Sequence, residues 1–249
     1  MIGAERRERL IARLDDSGVI RLEESAAELG VSSMTVRRDL EALELEGVVV
    51  RVRGGAVATV KARSFTERQG VDDVAKTEIA RKALDLMPTT GSIAVDASST
   101  SGHLLAQFKP GATTDLVVAT NSAHNHARAR ALRGTRAILV GGELEPHTES
   151  FVGPVACAAA AMLNYDRFFT SAAAADPEGG TSETIIEEAQ VKREFVRAAR
   201  ETVLLINSAK LGRRAMAAAL SWSQISIVVT ELDPRDARLD VLRDLVEIR

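Results

Sequence analysis

Two groups of residues have types and spacings that could do chemistry. In the first, Ser32, Ser33 and Thr35 precede the adjacent Arg37 and Arg38, and Arg51 and Arg53 stand just before Gly54-Gly55. Short hydroxyl side chains let the start of a helix approach a surface closely, where they and the backbone N–H groups bond phosphate oxygens or base edges. Arginine reaches guanine edges and phosphates with a planar fork of donors. The second group is Asp96 with Ser98, Ser99 and Thr100, then Thr120-Asn121, Gly141-Gly142, Lys192 and Lys210. Hydroxyls between a strand end and a helix start favour a phosphate, through unpaired N–H groups and the helix dipole. Strand ends are where ligands gather in open α/β sheets, and a lysine beside them neutralises a phosphate. Each group also has a plainer role: Ser99 or Thr100 as a helix N-cap, Asn121 and the glycines as turn residues, and the lysines and arginines as solvated charges. The single Cys157 has no intrachain partner. The four histidines show no ligand spacing, since His124 and His126, two apart, point in different directions on a helix. No metal or cofactor is expected.

These residues need elements to position them. Leu10, Ile11 and Leu14 form one stripe and predict a helix over 4–14, stopped by Asp15-Asp16-Ser17-Gly18. A second short helix over 22–29 ends at Gly30, and a third runs from Ser32-Ser33 to about Glu46, ending at Gly47. On the third, Val36, Leu40 and Leu43 face inward while Arg37, Arg38 and Glu41 face out. Residues 48–53 read as a strand, Gly54-Gly55 as a tight turn and 56–60 as its return. Such a helix–turn–helix lays its second helix in the major groove, with the hairpin as a wing on the backbone or minor groove. No aromatic residue precedes Phe65, which argues against recognition of single strands or RNA by base stacking. Residues 61–76 are polar and irregular. Beyond them, helices over 76–87, 102–108, 122–131, 154–163, 182–199 and 235–245 alternate with strands over 92–96, 116–120, 136–140, 167–170, 202–206 and 225–230. A long loop fills 141–153. The alternation predicts a mainly parallel α/β sheet.

At roughly 150 residues per domain, 249 residues suggest one large domain or two unequal ones. A net charge of −3 excludes a uniformly basic coat but not a local patch. Residues 1–63 hold 11 basic and 11 acidic side chains, yet residues 30–63 hold 6 basic against 4 acidic, with the cations at the start of the third helix and in the hairpin. The longest uncharged run, 215–230, is too short and polar to span a bilayer, and the first ten residues lack the apolar core of a secretory signal. A cytoplasmic protein with no membrane partner is expected.

Gly30-Val31-Ser32, Thr35-Val36-Arg37-Arg38-Asp39-Leu40, Leu43, Gly47 and Arg51-x-Arg53-Gly54-Gly55-Ala56 together resemble the DeoR family of bacterial transcriptional regulators. The resemblance continues through Phe65-x-x-Arg68, Lys76-x-x-Ile79-Ala80, Asp96 with its Ser-Thr turn, Thr120-Asn121, Gly141-Gly142, Phe151-x-Gly153, Asp176-Pro177, Val191-Lys192-Arg193 and Ser208-Ala209-Lys210. It implies a winged helix-turn-helix over 1–58, a linker over 59–75, and an effector-binding and oligomerisation domain over 76–249 similar in fold to ribose-5-phosphate isomerase and coenzyme A transferases. It further implies a non-enzymatic regulator, a repressor of a carbohydrate operon, bound to double-stranded operator DNA as a homo-oligomer and released by a phosphorylated sugar or related metabolite. Three places depart from the family pattern: Ser98-Ser99-Thr100 replaces a usual Gly-Thr-Thr, Ser171 and Ala174 replace glycines, and Asn207 replaces an acid. Two rivals stay open. One is a sugar-phosphate isomerase using Asp96 or Glu143 as base with Lys210 beside it; the other is an effector-independent DNA binder with a degenerate pocket.

Overall fold

The structure, a computed structural model, describes residues 3–17, 19–58, 64–109, 111 and 114–249. The N-terminal part comprises α1 (Gly3–Ser17), β1 (Val19–Arg21), α2 (Leu22–Leu29), α3 (Ser33–Leu45), β2 (Val49–Val52) and β3 (Gly55–Ala58). Local signals fix the turn between α2 and α3. Gly30 takes a left-handed conformation, φ 64°, after α2, and Ser32 caps α3 by accepting from the Thr35 N–H at 3.2 Å. Leu10, Leu14, Ile20, Val36, Leu40, Leu43 and Val49 close one small core. The Arg6 guanidinium forks onto the buried Asp39 carboxylate, tying α1 to α3. The strands form an antiparallel sheet in the order β1-β3-β2, with β1 an addition to the expected hairpin. Gly55 lies where β3 meets β1: a Cβ there would sit 1.8 Å from the Ile20 carbonyl oxygen. Residues 59 and 60, the end of the expected return strand, lie outside the described residues.

So do residues 61–63 of the expected linker, whereas its residues 64–75 are largely helical. Ser64 and Glu67 form a reciprocal capping box that starts α4 (Phe65–Gly70), and Phe65 is 1% exposed. Next come α5 (Asp73–Ala83), β4 (Thr90–Val95), α6 (Ser99–Gln107), β5 (Asp115–Thr120), α7 (Ala123–Ala131) and β6 (Thr135–Leu139). The expected loop over 141–153 holds a hairpin, β7 (Glu143–Glu145) and β8 (Ser150–Val152). Then follow α8 (Gly153–Ala161), β9 (Tyr165–Thr170), β10 (Ala174–Asp176), β11 (Gly180–Glu183), α9 (Ile186–Ala198), β12 (Ala199–Leu205), β13 (Ala217–Ala218), β14 (Ile227–Val229), α10 (Asp240–Arg243) and β15 (Glu247–Ile248). Helix α9 begins four residues later than its expected start at 182, because Ser182 and Glu183 pair with β10 and β13 in a small antiparallel sheet.

Seven strands form one parallel sheet in the order β15-β14-β12-β9-β4-β5-β6. Period-two alternation sends Ile93, Val95, Leu116, Val118, Phe169, Val203 and Leu205 into a core with α5, α6 and α7. Ala94, Ala119, Phe168, Leu204 and Val228 face the opposite core, with α8, α9 and α10. A parallel sheet covered by helices on both faces is the doubly wound arrangement. Its strand order reverses between β4 and β9, and at such a switch point neighbouring loops diverge and open a crevice at the strands' C-terminal ends.

Candidate functional site

On the N-terminal domain, Arg37 and Arg38 stand exposed on α3 and Arg53 stands exposed in the β2–β3 turn; none is paired with a described residue. The neighbouring hydroxyls do local work. Ser32 and Thr35 lie 2.9 Å apart within the helix cap, and Ser33 donates to Glu23 at 2.8 Å. Arg51 is not a free wing cation. Its N–H donates to Glu44 Oε1 at 3.0 Å, and its guanidinium reaches Glu44 Oε2 at 2.7 Å and Glu41 Oε1 at 2.8 Å. Those bonds, the backbone N–H first, hold the Glu44 carboxyl below its ordinary value. Arg51 thus braces β2 against the exposed face of α3.

The second site lies at the switch point. A cavity of about 510 Å³ is walled by the turns after β4 (Ser98, Ser99), β9 (Ser171, Ala172, Ala173) and β12 (Ala209, Lys210, Arg213), by β11 and the start of α9, and by α4 and α5. Five cations line it (Arg68, Lys76, Lys192, Lys210 and Arg213) against four carboxylates (Glu67, Asp72, Glu183 and Glu188). Beneath the floor, Asp96 is fully buried and accepts from the N–H groups of Ser98 (3.0 Å) and Ser171 (2.9 Å) and from the hydroxyls of Ser101 (2.8 Å) and Thr170 (2.9 Å). Burial works against its charge, but Lys192 at 3.1 Å and these donors outweigh burial and hold the carboxyl at about 2. Lys192 is itself fully engaged, donating to Ser171 O at 2.7 Å and to Glu183 while paired with Asp96. Glu183 moves the other way: burial, with Glu188 and Asp96 nearby, raises its carboxyl despite Lys192.

Lys210 has much less company. It donates to Ala172 O at 2.7 Å and lies 3.4 Å from Ser171 Oγ. Burial, together with the positive Lys192, Arg68 and Lys76, pushes its ammonium down to about 8 against the pull of Glu183. Arg213 has no side-chain partner among the described residues, and Arg68 Nε is buried without one. The cavity therefore offers an anion three incompletely satisfied cations, with carboxylates and hydroxyls around them to accept from and donate to a polar body.

Of the residues singled out in the sequence, Ser98, Ser99, Lys192 and Lys210 reach the cavity and Asp96 supports its floor. The cap of α6 is Ser98, one residue before the expected Ser99 or Thr100: it accepts from the Ser101 N–H at 3.1 Å. Thr100, Thr120, Asn121, Gly141 and Gly142 are not in its wall. Thr100 is buried within α6. Thr120 accepts from the Ser122 N–H at 3.2 Å, and Asn121 Nδ2 donates to Phe151 O at 3.0 Å. Gly142 packs so closely that a Cβ would lie 2.6 Å from Val152 O. The reason is topological: β5 and β6 lie away from the switch point, and the β7–β8 hairpin covers their ends. Both bases of the isomerase rival also fail geometrically, since Asp96 is sealed and saturated and Glu143 lies in β7, outside the cavity wall. Arg213, Glu183 and Glu188 carry no local sequence signal, while Arg68 and Lys76 appear in the sequence only through the family resemblance.

Fold and sites together define a DNA-binding module joined to a ligand-sensing α/β domain. A DeoR-like helix-turn-helix domain matches residues 6–61 and a DeoR C-terminal sensor domain matches residues 72–232. The chain belongs to the DeoR family. It is 27% identical over 248 residues to the lactose phosphotransferase system repressor of Staphylococcus aureus (strain N315), covering 98% of each chain. It is 28% identical over 234 residues to the HTH-type transcriptional regulator GlpR of Haloferax volcanii, covering 93% of this chain and 91% of that one. Among solved structures it is similar to a D-ribose-5-phosphate isomerase in complex with phospho-erythronic acid, with a TM-score of 0.41 and 15% identity, covering 56% of this chain and 54% of that one. The chain spans little more than half the length of that structure. No helix among the described residues is long and apolar enough to cross a membrane.

Proposed function

We propose that this chain represses an operon for carbohydrate use and leaves its double-stranded operator when a phosphorylated sugar or related anionic metabolite fills the cavity. The observation that carries the reading is the cavity itself: Lys210, Arg213 and Arg68, incompletely satisfied, converge at the switch point of a sensor domain whose chain also presents Arg37, Arg38 and Arg53 unpaired. In this reading the effector's phosphate takes Lys210 and Arg213 beside Ser99, and its hydroxyls face Glu183 and Asp72. Arg37 and Arg38 read the major groove, with Ser33 and Thr35 beside the phosphates and Arg53 as the wing contact. The resemblance of the relatives supports repression and a sugar signal, the first named for a lactose phosphotransferase system. A homo-oligomer follows from the need to engage paired half-sites. The effector shifts the equilibrium only by binding the released state better than the operator-bound one.

The test is selection of duplexes from a random pool by the full chain, with and without a panel of sugar phosphates. The reading expects enrichment of one motif in two half-sites, lost in the presence of at least one compound. Enrichment indifferent to every compound would leave a DNA binder without a sensor and overturn it.

A further inference from the structure

Helix α4 is the first element after residues 59–63, which lead from the wing, and its fastenings are also cavity residues. Phe65 is buried beneath His124, the two rings stacked at 4.2 Å between centroids. The rest of the helix is held by polar groups. Lys76 Nζ donates to the carbonyls of Arg68 and Val71, Ser99 Oγ donates to Arg68 O at 3.2 Å, and Arg68 Nη2 donates to Thr148 O at 2.9 Å. Lys76, Ser99, Arg68 and Thr148 all line the cavity. A carbonyl offers an ammonium or guanidinium only a dipole, whereas a phosphate adds a full opposite charge and accepts from arginine through two parallel bonds, which makes it the stronger partner. The buried, unpartnered Nε of Arg68 leaves a donor waiting on the same wall.

We propose that Arg68 and Lys76 serve two competing partners, an anion in the cavity and α4 itself, so that filling the cavity unfastens α4 and thereby the chain leading into the wing. The proposal rests on the reading of the cavity as an anion site and adds its route to the DNA-binding domain. That route is covalent: only five residues separate Ala58, the end of β3, from Ser64, the cap of α4. It needs no contact between the two domains. A coupling claim of this kind requires an element with two arrangements that both sites bias, and α4 is that element.

Hydrogen exchange on the full chain tests this, with inorganic phosphate as the probe and sodium chloride at matched ionic strength as the control. Phosphate is expected to slow exchange across 98–102 and 208–213 and to speed it across 64–72, where the Arg68 N–H is bonded to Ser64 O at 2.9 Å. In the Arg68→Gln variant the phosphate concentration needed to protect 98–102 should rise about tenfold. Protection of 98–102 and 208–213 with unchanged or slowed exchange across 64–72 would overturn the inference while leaving the cavity an anion site. So would unaltered phosphate protection in Arg68→Gln. No protection at either cavity segment would overturn the anion-site reading and this inference with it.

Discussion

Lys210 and Lys192 stand in one cavity and do opposite work. Lys192 is neutralised by Asp96 and Glu183 and holds the floor together. Lys210, with one good carbonyl acceptor, is held at about 8 by burial among other cations. An arriving phosphate would supply the counter-charge it lacks. Lys210→Met keeps the aliphatic stem and removes the charge, so effector affinity should fall roughly tenfold to a hundredfold, the value of a charge-assisted hydrogen bond. Operator binding should persist. The stability effect has a definite sign. A folded-state value of about 8, below the ordinary lysine value of roughly 10.4, means that the unfolded chain binds more protons between those limits. The parent therefore gains stability as pH rises through that window, and at pH 7 it carries a penalty that Lys210→Met removes. Thermal melts should place the variant above the parent at neutral pH, with the gap closing at higher pH; a variant melting lower at neutral pH would make Lys210 a structural tie to Ala172. The presence of these lysines is legible in the sequence, because lysine is rare there, six against 26 arginines. Their state is not, since Asp96 and Glu183 arrive from distant strands and only the fold reveals that one lysine is already paid for.

At the scale of elements, the recognition helix and wing separate two kinds of arginine. Arg38→Ala should weaken operator binding by about 1–3 kcal/mol if the guanidinium grips a base edge. Arg53→Ala should weaken binding evenly across sequences and reduce the salt slope by about one. Arg51→Ala should affect binding less than either, because its guanidinium is held by Glu41 and Glu44. Titrations at several salt concentrations check the ranking, and a dominant loss from Arg51→Ala would contradict it. Elements with local signals are the readable ones: α2 and α3 fall within a residue of expectation because Gly30 and Ser32 mark their ends. The hairpin β7–β8 and the sheet β10-β11-β13 are not readable, being two to four residues long and, in the latter, built from Ala, Gly, Ser, Thr, Asp and Glu without an apolar alternation. Helix α4 hides for another reason. It is polar apart from Phe65, which is covered by His124 on α7, more than fifty residues further along the chain.

For the whole molecule, the two sites lie on different parts of the chain, so the function proposed is a linkage between two equilibria. A fragment of residues 1–58 should bind operator weakly, since a small module with 9 basic against 11 acidic side chains makes few phosphate contacts and lacks the sensor domain through which we expect the chains to pair. Full affinity from that fragment would remove the need for an oligomer. The most direct test of the central claim is an equilibrium titration of the selected operator with the full chain, followed by fluorescence anisotropy at constant ionic strength, with and without each sugar phosphate. The account predicts that at least one compound raises the operator Kd about tenfold or more, and that Lys210→Met, binding the same operator normally, loses that response. An operator Kd unmoved by any compound, or moved equally in parent and Lys210→Met, would contradict it.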